Sequence, residues 1–230
     1  MRAHFVKDLE EKESYLLEGE SLHHLVNVIR IRKDEEILLL NGQGLGVIAQ
    51  VENISKKNMS LRLSRILPQP KKLPMDLALG IPKKDSLDLC LKQAVELGFE
   101  RIFLVRGQFS QTKVPEADRL QNLLVSALEQ ANAFYLPRVV EISWQELPWN
   151  EFGSTLLMDS RPVLNQTEAE VSARALRLLI VGPEGGFSEE ELVYFHSRPN
   201  ITSLHLPTPI LRTSTAVATG AGILLQRLMD

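Results

Sequence analysis

The stretch "LLIVGPEGGFSEEE", residues 178–191, joins an apolar run to a helix start through a glycine-rich turn. The run "LRLLIV" predicts a buried strand that ends at Gly182. Ser188, followed three residues later by Glu191, predicts a capping box at the start of the helix. A strand, a glycine turn and a helix in this order are typical of a ligand-binding loop in an α/β fold. A tight turn with a structural role only is the alternative.

This turn is poorly suited to a polyphosphate. No Gly-Lys-Ser/Thr follows the glycines, so the turn is not a P-loop. Acids crowd the start of the predicted helix and would repel phosphate: Glu184, Glu189, Glu190 and Glu191. The pattern favours a neutral or cationic ligand held by backbone groups, and an enzyme that uses a nucleotide or dinucleotide is the less favoured alternative.

A second unusual loop, "LPTPILRTSTA" at residues 206–216, also lies between a predicted strand and a predicted helix. Two prolines stiffen it, and Thr213, Ser214 and Thr215 could cap the helix. Arg212 is the only charged residue between Arg198 and Arg227. A lone arginine there could hold an anion or polarise a carbonyl, or it could be a surface residue beside a cap.

Strands and helices alternate from residue 75 to the end of the chain, which predicts an α/β domain with a largely parallel sheet. One of its helices, "SLDLCLKQAVELG", has Ser86 as its predicted cap and Gly98 just past its end. The last helix carries small residues on one face, which indicates close internal packing or, as an alternative, a helix-on-helix dimer interface.

Residues before about position 67 read as a small β-rich unit with one amphipathic helix over "SLHHLVNVIR". "EILLL", "GVIAQVE" and "MSLRLSRIL" are predicted strands, and the last alternates apolar and polar residues. "NGQGLG" contains spaced glycines, but a strand pattern follows it, so a hairpin is predicted rather than a dinucleotide loop. "LPQPKKLP" is the predicted linker, which gives domains of 1–70 and 71–230.

The composition of the chain limits the cellular compartment and the kinds of site that we expect. The chain has 230 residues, a formal net charge of −3 and a single cysteine, Cys90. No intrachain disulfide is possible, and Cys90 is predicted to be unreactive core. No signal peptide, membrane-spanning run or metal-ligand spacing is present, so we expect a cytoplasmic protein without a metal.

A local excess of positive charge lies in residues 53–75, where no Asp or Glu occurs. It indicates either a solvated strand face or an RNA-binding surface. The candidate RNA-binding residues are Lys56, Lys57, Arg62 and Arg65, with Lys113 as a weaker one.

Taken together, the two loops resemble those of the SPOUT methyltransferases, and the 16S rRNA uracil-N3 methyltransferase family in particular. "KQAVELG" and "ALEQANAFYLP" are also similar to that family, so the resemblance covers nearly the whole chain. It implies a PUA-like RNA-binding β-barrel, then a SPOUT α/β domain with a trefoil knot. It also implies a homodimer that uses S-adenosylmethionine to methylate N3 of a uridine in 16S rRNA of the small ribosomal subunit.

The resemblance also implies the site residues. The cofactor-binding positions are Gly182, Glu184, Gly185, Gly186, Leu206, Ile210, Leu211, Thr215 and Ala216. Arg212 is expected to pair with the charge that develops on the uracil ring or with a neighbouring phosphate, while Thr213 and Thr215 hold the loop and cofactor.

The chain departs from the family pattern where arginines are expected, because it has Phe109, Ala133 and Pro209 at those positions. Gly107 and Gln108 likewise replace the first two residues of the family's Ser-Glu-Arg triplet. Arginines near such a site would hold RNA phosphates. These departures favour, as the alternative to an active methyltransferase, a divergent protein that binds RNA or cofactor without catalysis or modifies a different RNA.

Overall fold

The computed structural model describes residues 1–161, 177–198 and 200–229, and the chain divides into two compact units. One unit comprises Met1–Lys71 and Val125–Leu136, and the other comprises Lys72–Leu124 and Pro137–Asp230. The sequence assigned everything after residue 70 to the second domain. The structure instead joins Val125–Leu136 to the first unit.

Five strands form the sheet of the first unit: β1 (Ala3–Phe5), β2 (Ser14–Glu18), β3 (Glu36–Leu40), β4 (Gly46–Ile54) and β5 (Asn58–Ile66). Their order is β1-β3-β4-β5-β2, with β1 parallel to β3 and the other neighbours antiparallel. Helix α1 (Gly19–His23) continues into a π-helical turn, His24–Ile29. The predicted helix, the three predicted strands and the β3–β4 hairpin are confirmed.

The pattern of β5 explains which face of this sheet is buried. Met59 and Leu61 are fully buried, while Arg62 and Ser64 are exposed. Two register shifts interrupt the β4–β5 pairing, and bulges of this kind bend and twist a sheet. The N-terminal unit is therefore a small, twisted β-sheet with an apolar interior.

The segment Val125–Leu136 belongs to the first unit because it bonds to the loops and strands there. A side-chain oxygen of Glu129 accepts the N–H of Phe5 at 2.8 Å, although the two residues are 124 positions apart. The N–H of Leu136 donates to the carbonyl of Gly42 at 2.9 Å. Contacts between such distant residues leave no periodic signal in the sequence, so the domain prediction could not include this segment.

Six parallel strands form the sheet of the second unit: β6 (Met75–Gly80), β7 (Arg101–Val105), β8 (Arg138–Ile142), β9 (Ser154–Met158), β10 (Arg177–Val181) and β11 (Ile201–Leu204). The helices are α2 (Lys84–Glu96), α3 (Ala117–Ala131), α4 (Glu189–His196) and α5 (Thr213–Met229). The last residues of α3 fall in the first unit. The predicted α/β class with a parallel sheet is confirmed.

The strand order is β11-β9-β10-β6-β7-β8, and it changes direction at β6. From β6 the chain builds β7 and β8 on one side, and then places β9, β10 and β11 on the other. Ligands of open α/β sheets bind beyond the carboxyl ends of the strands at such a switch point. The chain also reverses direction at β9, because β10 and β11 lie on opposite sides of it, so the fold directs attention to the loops that follow β9, β10 and β11.

The N-caps of two helices differ from the predicted ones. Helix α2 begins at Lys84 with Lys83 at the N-cap, so Ser86 lies in the first turn and is not the cap. Helix α5 begins at Thr213, so its hydroxyl residues also lie in the first turn rather than at the cap. Gly98, with φ of 77°, does end α2 as predicted, because glycine adopts the left-handed conformation without strain.

Cys90 lies inside the second unit. Its side chain is fully buried, and burial, with a smaller contribution from the charge of Glu184, raises the pKa of the thiol to about 12. The prediction of an unreactive core cysteine is confirmed.

Within the described ranges, the protein has neither a membrane-crossing helix nor a cluster of metal ligands. No helix within those ranges combines the length and the apolar character that crossing a bilayer requires. Those same ranges contain no group of three His, Cys, Asp or Glu side chains that could hold a metal ion.

The small-residue face of α5 packs inside the second unit. This helix contacts α2 and the strands β9 and β10. A Cβ added at Gly220 would lie 2.6 Å from a methyl carbon of Leu179 and 3.0 Å from the sulfur of Met158. Gly222, two residues on, is exposed and has no other atom within 4 Å of such a Cβ. Internal packing therefore explains Gly220.

This contrast predicts opposite effects of one substitution at two positions. Gly222→Ala should raise the free energy of unfolding by about 0.5–1 kcal/mol, because alanine favours a helix. Gly220→Ala gains the same helix propensity but overpacks the interior, so it should be about 1–3 kcal/mol less stable than Gly222→Ala. Urea unfolding followed by circular dichroism measures both. Equal stabilities would contradict the close packing of Gly220.

Candidate functional site

A cavity of about 370 Å³ lies at the carboxyl ends of β9, β10 and β11 in the second unit. This volume is within the usual range for small-molecule sites, about 300–1,000 Å³. Three loops and the first turns of α5 form its walls: residues 158–161, 181–187, 204–206 and 208–211, with Thr213 and Ala216. The cavity thus occupies the place that the strand order indicated.

The cavity brings together residues from both loops singled out in the sequence. Its lining includes all the predicted cofactor residues except one: Gly182, Glu184, Gly185, Gly186, Leu206, Ile210, Leu211 and Ala216. Thr213 lines it as well. Thr215 and Arg212 are exposed and are not among the lining residues.

The glycine turn needs its glycines for geometric reasons. Gly186 has φ of 72°, and its N–H donates to the carbonyl of Pro183 at 2.9 Å, which closes a tight turn. A Cβ on Gly185 would lie 2.8 Å from Cβ of Phe109, and one on Gly182 would lie 3.1 Å from the ring of Phe187. The turn therefore presents its backbone to the cavity with no side chains at these three positions.

Glu184 lines the cavity, but its carboxylate bonds to the start of α2. It accepts the backbone N–H of Lys83, the N-cap residue, at 3.1 Å, and it also accepts the hydroxyl of Ser86. Burial opposes ionisation, but these hydrogen bonds, with that from its own N–H, outweigh it and lower the pKa of the carboxyl. Glu184 therefore supplies from another loop the cap that α2 lacks in its own sequence.

Glu191 closes the capping box predicted at α4, which is confirmed. One carboxylate oxygen accepts the N–H of Ser188 at 2.8 Å, and the Ser188 hydroxyl accepts the N–H of Glu191 at 3.2 Å. The other oxygen accepts the indole N–H of Trp144 at 2.9 Å and the N–H of Gln108 at 3.1 Å. The acid thus also ties the loop after β7 to α4.

The second loop supplies apolar side chains to the cavity. Leu206 and Leu211 are partly buried, whereas Ile210 is 85% exposed. The N–H of Thr208 donates to the carbonyl of Leu206 at 2.7 Å, which turns the chain between the two prolines. Ile210 therefore lines the cavity with an apolar side chain, and most of the surface of that side chain is accessible to a ligand.

Thr213 is the most informative polar residue of the cavity. It is 4% exposed, and its hydroxyl has no hydrogen-bond partner in the part of the chain that the structure describes. A buried hydroxyl without a partner costs free energy, so such groups usually bind something. The geometry makes Thr213 a candidate donor or acceptor for a ligand.

An acid–arginine pair on the cavity wall was missed by the sequence interpretation. Asp159 follows β9, and its carboxylate accepts the N–H of Arg161 at 3.1 Å and its side-chain Nε at 3.2 Å. Arg161 also pairs with Glu189 at 2.7 Å. An acid directly after an apolar strand, as in "STLLMD", is the signal that could have indicated this position.

The predicted RNA-binding residues are all exposed: Lys56, Lys57, Arg62 and Arg65 in the first unit and Lys113 in the second. Arg62 is partly neutralised, because its Nε lies 3.3 Å from a carboxylate oxygen of Glu52 and its Nη2 donates to Gln50 at 2.9 Å. Glu52 lies on the neighbouring strand β4, just before the span 53–75 that contains no Asp or Glu, so the sequence did not indicate this pairing.

Two family models match the chain. Residues 69–225 match the model described as an RNA methyltransferase domain, and residues 17–64 match an RNA methyltransferase PUA domain. These matches cover the loops of the cavity and most of the sheet of the first unit.

Similar proteins span nearly the whole chain. The ribosomal RNA small subunit methyltransferase E of Rickettsia conorii is 29% identical over 91% of this chain and 88% of its own length. The enzyme of the same name from Bacillus subtilis is 26% identical over 94% of this chain and 93% of its own length. Among solved structures, the same enzyme from Neisseria gonorrhoeae, bound to S-adenosylmethionine, has a TM-score of 0.81 at 24% identity, and 99% of this chain and 98% of that chain are covered.

The cap that Glu184 provides predicts a pH-dependent stability. Glu184→Ala should lower the free energy of unfolding by about 0.5–1 kcal/mol, as expected for a largely exposed helix cap. Because the pKa is lowered from its ordinary value of 4.5, this contribution is complete above that pH and is lost as the pH falls through the lowered pKa.

Urea unfolding of the wild type and of Glu184→Ala across that pH range measures the effect. The difference in stability should shrink below pH 4.5, the ordinary pKa of the carboxyl. A difference that stays constant as the solution is acidified would show that the carboxylate does not cap α2.

Proposed function

The chain belongs to the RNA methyltransferase family, and we propose that it transfers a methyl group from S-adenosylmethionine to N3 of a uridine in 16S rRNA. The observation that carries the proposal is the cavity formed by the glycine turn and the second loop, with Thr213 buried in its wall. The names of the similar proteins support ribosomal RNA of the small subunit as the substrate.

The cavity fits this cofactor chemically. S-adenosylmethionine supplies an electrophilic methyl group on a sulfonium, and it carries an apolar adenine but no phosphate. The bare backbone of Gly185 and Gly186 can hydrogen-bond such a ligand, and Leu206, Ile210 and Leu211 can cover its ring. The only guanidinium on the cavity wall, among the described residues, is that of Arg161, which Asp159 and Glu189 neutralise.

Methylation at N3 requires that uracil lose its N3 proton to solvent, with negative charge developing on the ring oxygens, and that N3 take the methyl group from the sulfonium, which would leave as a neutral thioether. A preorganised cation lowers the free energy of that charge. Arg212 directly precedes α5, and its carbonyl accepts the N–H of Ala216 at 2.9 Å, so its backbone is held at the helix start while its side chain is exposed. We assign to Arg212 the stabilisation of the uracil anion or of the phosphate beside it, and to Thr213 and Thr215 the holding of loop and cofactor.

The proposal for RNA binding uses the first unit. Lys56 and Lys57 are exposed at the turn between β4 and β5, and Arg65 is exposed on β5. Cations on one small β-rich unit can hold phosphates of the substrate in a salt-dependent way. Arg62 contributes less, because Glu52 already neutralises part of its charge.

Two further features are proposed from the family resemblance: a homodimer, which light scattering tests, and a trefoil knot at the C-terminal end. The strand order supports the knot, because β11 lies beyond β9 and α5 then returns to contact β10 and α2. Chain paths that return in this way are required for a threaded loop.

Thr213 allows a sharp test of the cofactor site. Thr213→Val removes only the hydroxyl, so it should raise the dissociation constant for S-adenosylmethionine by about 2- to 10-fold, as one lost hydrogen bond requires. The free energy of unfolding should not fall, because that hydroxyl has no partner within the described residues. Thr219→Val, the same change further along α5, is the control and should leave the affinity unchanged in calorimetry.

The reaction is tested by methyl transfer to small ribosomal subunits that lack the modification. The wild type should transfer one labelled methyl group to a uridine, and Arg212→Ala should lower kcat by about 100- to 1,000-fold while cofactor affinity is retained. Cofactor binding without transfer to any ribosomal RNA would favour a binding protein over an enzyme. Transfer that Arg212→Ala does not slow would refute the role of Arg212.

A further inference from the structure

Phe109 is a partly exposed aromatic side chain beside the glycine turn. It is 38% exposed, and a Cβ on Gly185 would lie 2.8 Å from its Cβ and 3.2 Å from its ring. Gly185 itself lines the cavity. The phenyl ring therefore packs against Gly185 of the proposed cofactor loop, with part of its surface in solvent.

The loop that carries this ring is held by hydrogen bonds on both sides. The N–H of Gly107 donates to the hydroxyl of Ser110 at 2.9 Å, and the N–H of Ser110 donates back to the carbonyl of Gly107 at 3.2 Å. The N–H of Gln108 donates to Glu191 at 3.1 Å. A ring on such a loop loses little conformational freedom when a ligand stacks on it.

Three lysines lie on the same and the adjacent loop. The N–H of Gln111 donates to the carbonyl of Ile81 at 3.0 Å, so the loops after β6 and β7 run side by side. Lys83 and Lys84 follow Ile81 in the sequence, and Lys113 follows Gln111. All three are exposed and form no salt bridge within the described ranges, although the charge of Lys83 also acts on Glu184. Lys84 begins α2, where a cation opposes the helix dipole, so helix stability does not explain it.

A flat apolar surface next to exposed cations matches an unpaired nucleotide, which offers a base face and phosphates together. A paired RNA helix hides its base faces, so it fits Phe109 less well. We infer that Phe109 stacks on the target uracil after it has left its RNA stack, and that Lys83, Lys84 and Lys113 hold the adjoining phosphates. The inference rests on the proposed function and adds to it the residues that position the base.

Base stacking on an aromatic side chain contributes enough to be measured. Phe109→Leu keeps an apolar contact with Gly185 but has no ring, so KM for unmodified small subunits should rise by about 5- to 100-fold. Phe109→Tyr and Phe109→Trp should keep KM near that of the wild type. The affinity for S-adenosylmethionine, measured by calorimetry, should be the same in all of these variants.

Val193→Ala provides the matched control, because Val193 is an apolar residue of the same unit that is 70% exposed and lies outside the cavity. It should leave KM unchanged. Lys84→Gln should lower the slope of log affinity against log salt by about 0.7, the value for one lost phosphate contact on a single strand.

The outcomes separate this inference from the proposed function. If the wild type methylates a uridine and Phe109→Leu has the same KM, the stacking role is wrong. If Phe109→Leu loses cofactor affinity, the ring only supports the glycine turn, and the inference is also overturned. If the wild type transfers no methyl group, the proposed function fails, and direct binding of 16S rRNA to wild type and Phe109→Leu decides the stacking: equal affinities refute it.

Discussion

The carboxylate of Glu191 holds together the chain segments that meet at the carboxyl edge of the parallel sheet. One of its oxygens closes the first turn of α4, and the other accepts N–H groups of Trp144 and of Gln108. The glycine turn ends directly before α4, and the loop of Phe109 contains Gln108. This half-buried carboxylate therefore links the loop after β7 to the start of α4, where the glycine turn ends.

The acids around the glycine turn are less available to a ligand than the sequence implies. Glu184 bonds to the start of α2, Glu191 bonds to three N–H groups, and Glu189 pairs with Arg161. The hydrogen bonds to Glu184 and Glu191 occupy their oxygens without removing their charge, whereas the ion pair with Arg161 offsets the charge of Glu189. The carboxylates near the cavity are therefore already bonded to the protein, and the groups of the glycine turn left for a ligand are those of its backbone.

The sequence predicted what depends on neighbours along the chain and missed what depends on distant ones. The strands β3, β4 and β5, the capping box of Ser188 and Glu191, and the end of α2 at Gly98 were predicted, because propensity and local hydrogen bonding determine them. The role of Glu184 was not, because its partner Lys83 is 101 positions away. The position of Asp159 after an apolar strand was a usable signal, but its pairing with Arg161 was not, because Arg161 also bonds to Glu189, which is 28 positions away in the sequence.

The hydrogen bonds that join Glu129 to Phe5 and Leu136 to Gly42 have a consequence at the level of the gene. A coding segment that stops after residue 71 encodes five strands but omits the residues that complete their unit. A gene fusion or a deletion with one boundary in the reading frame therefore cannot transfer or remove this unit as a whole. Because Val125–Leu136 lies between two parts of the second unit in the sequence, the two units have to be passed on together, although each has its own sheet.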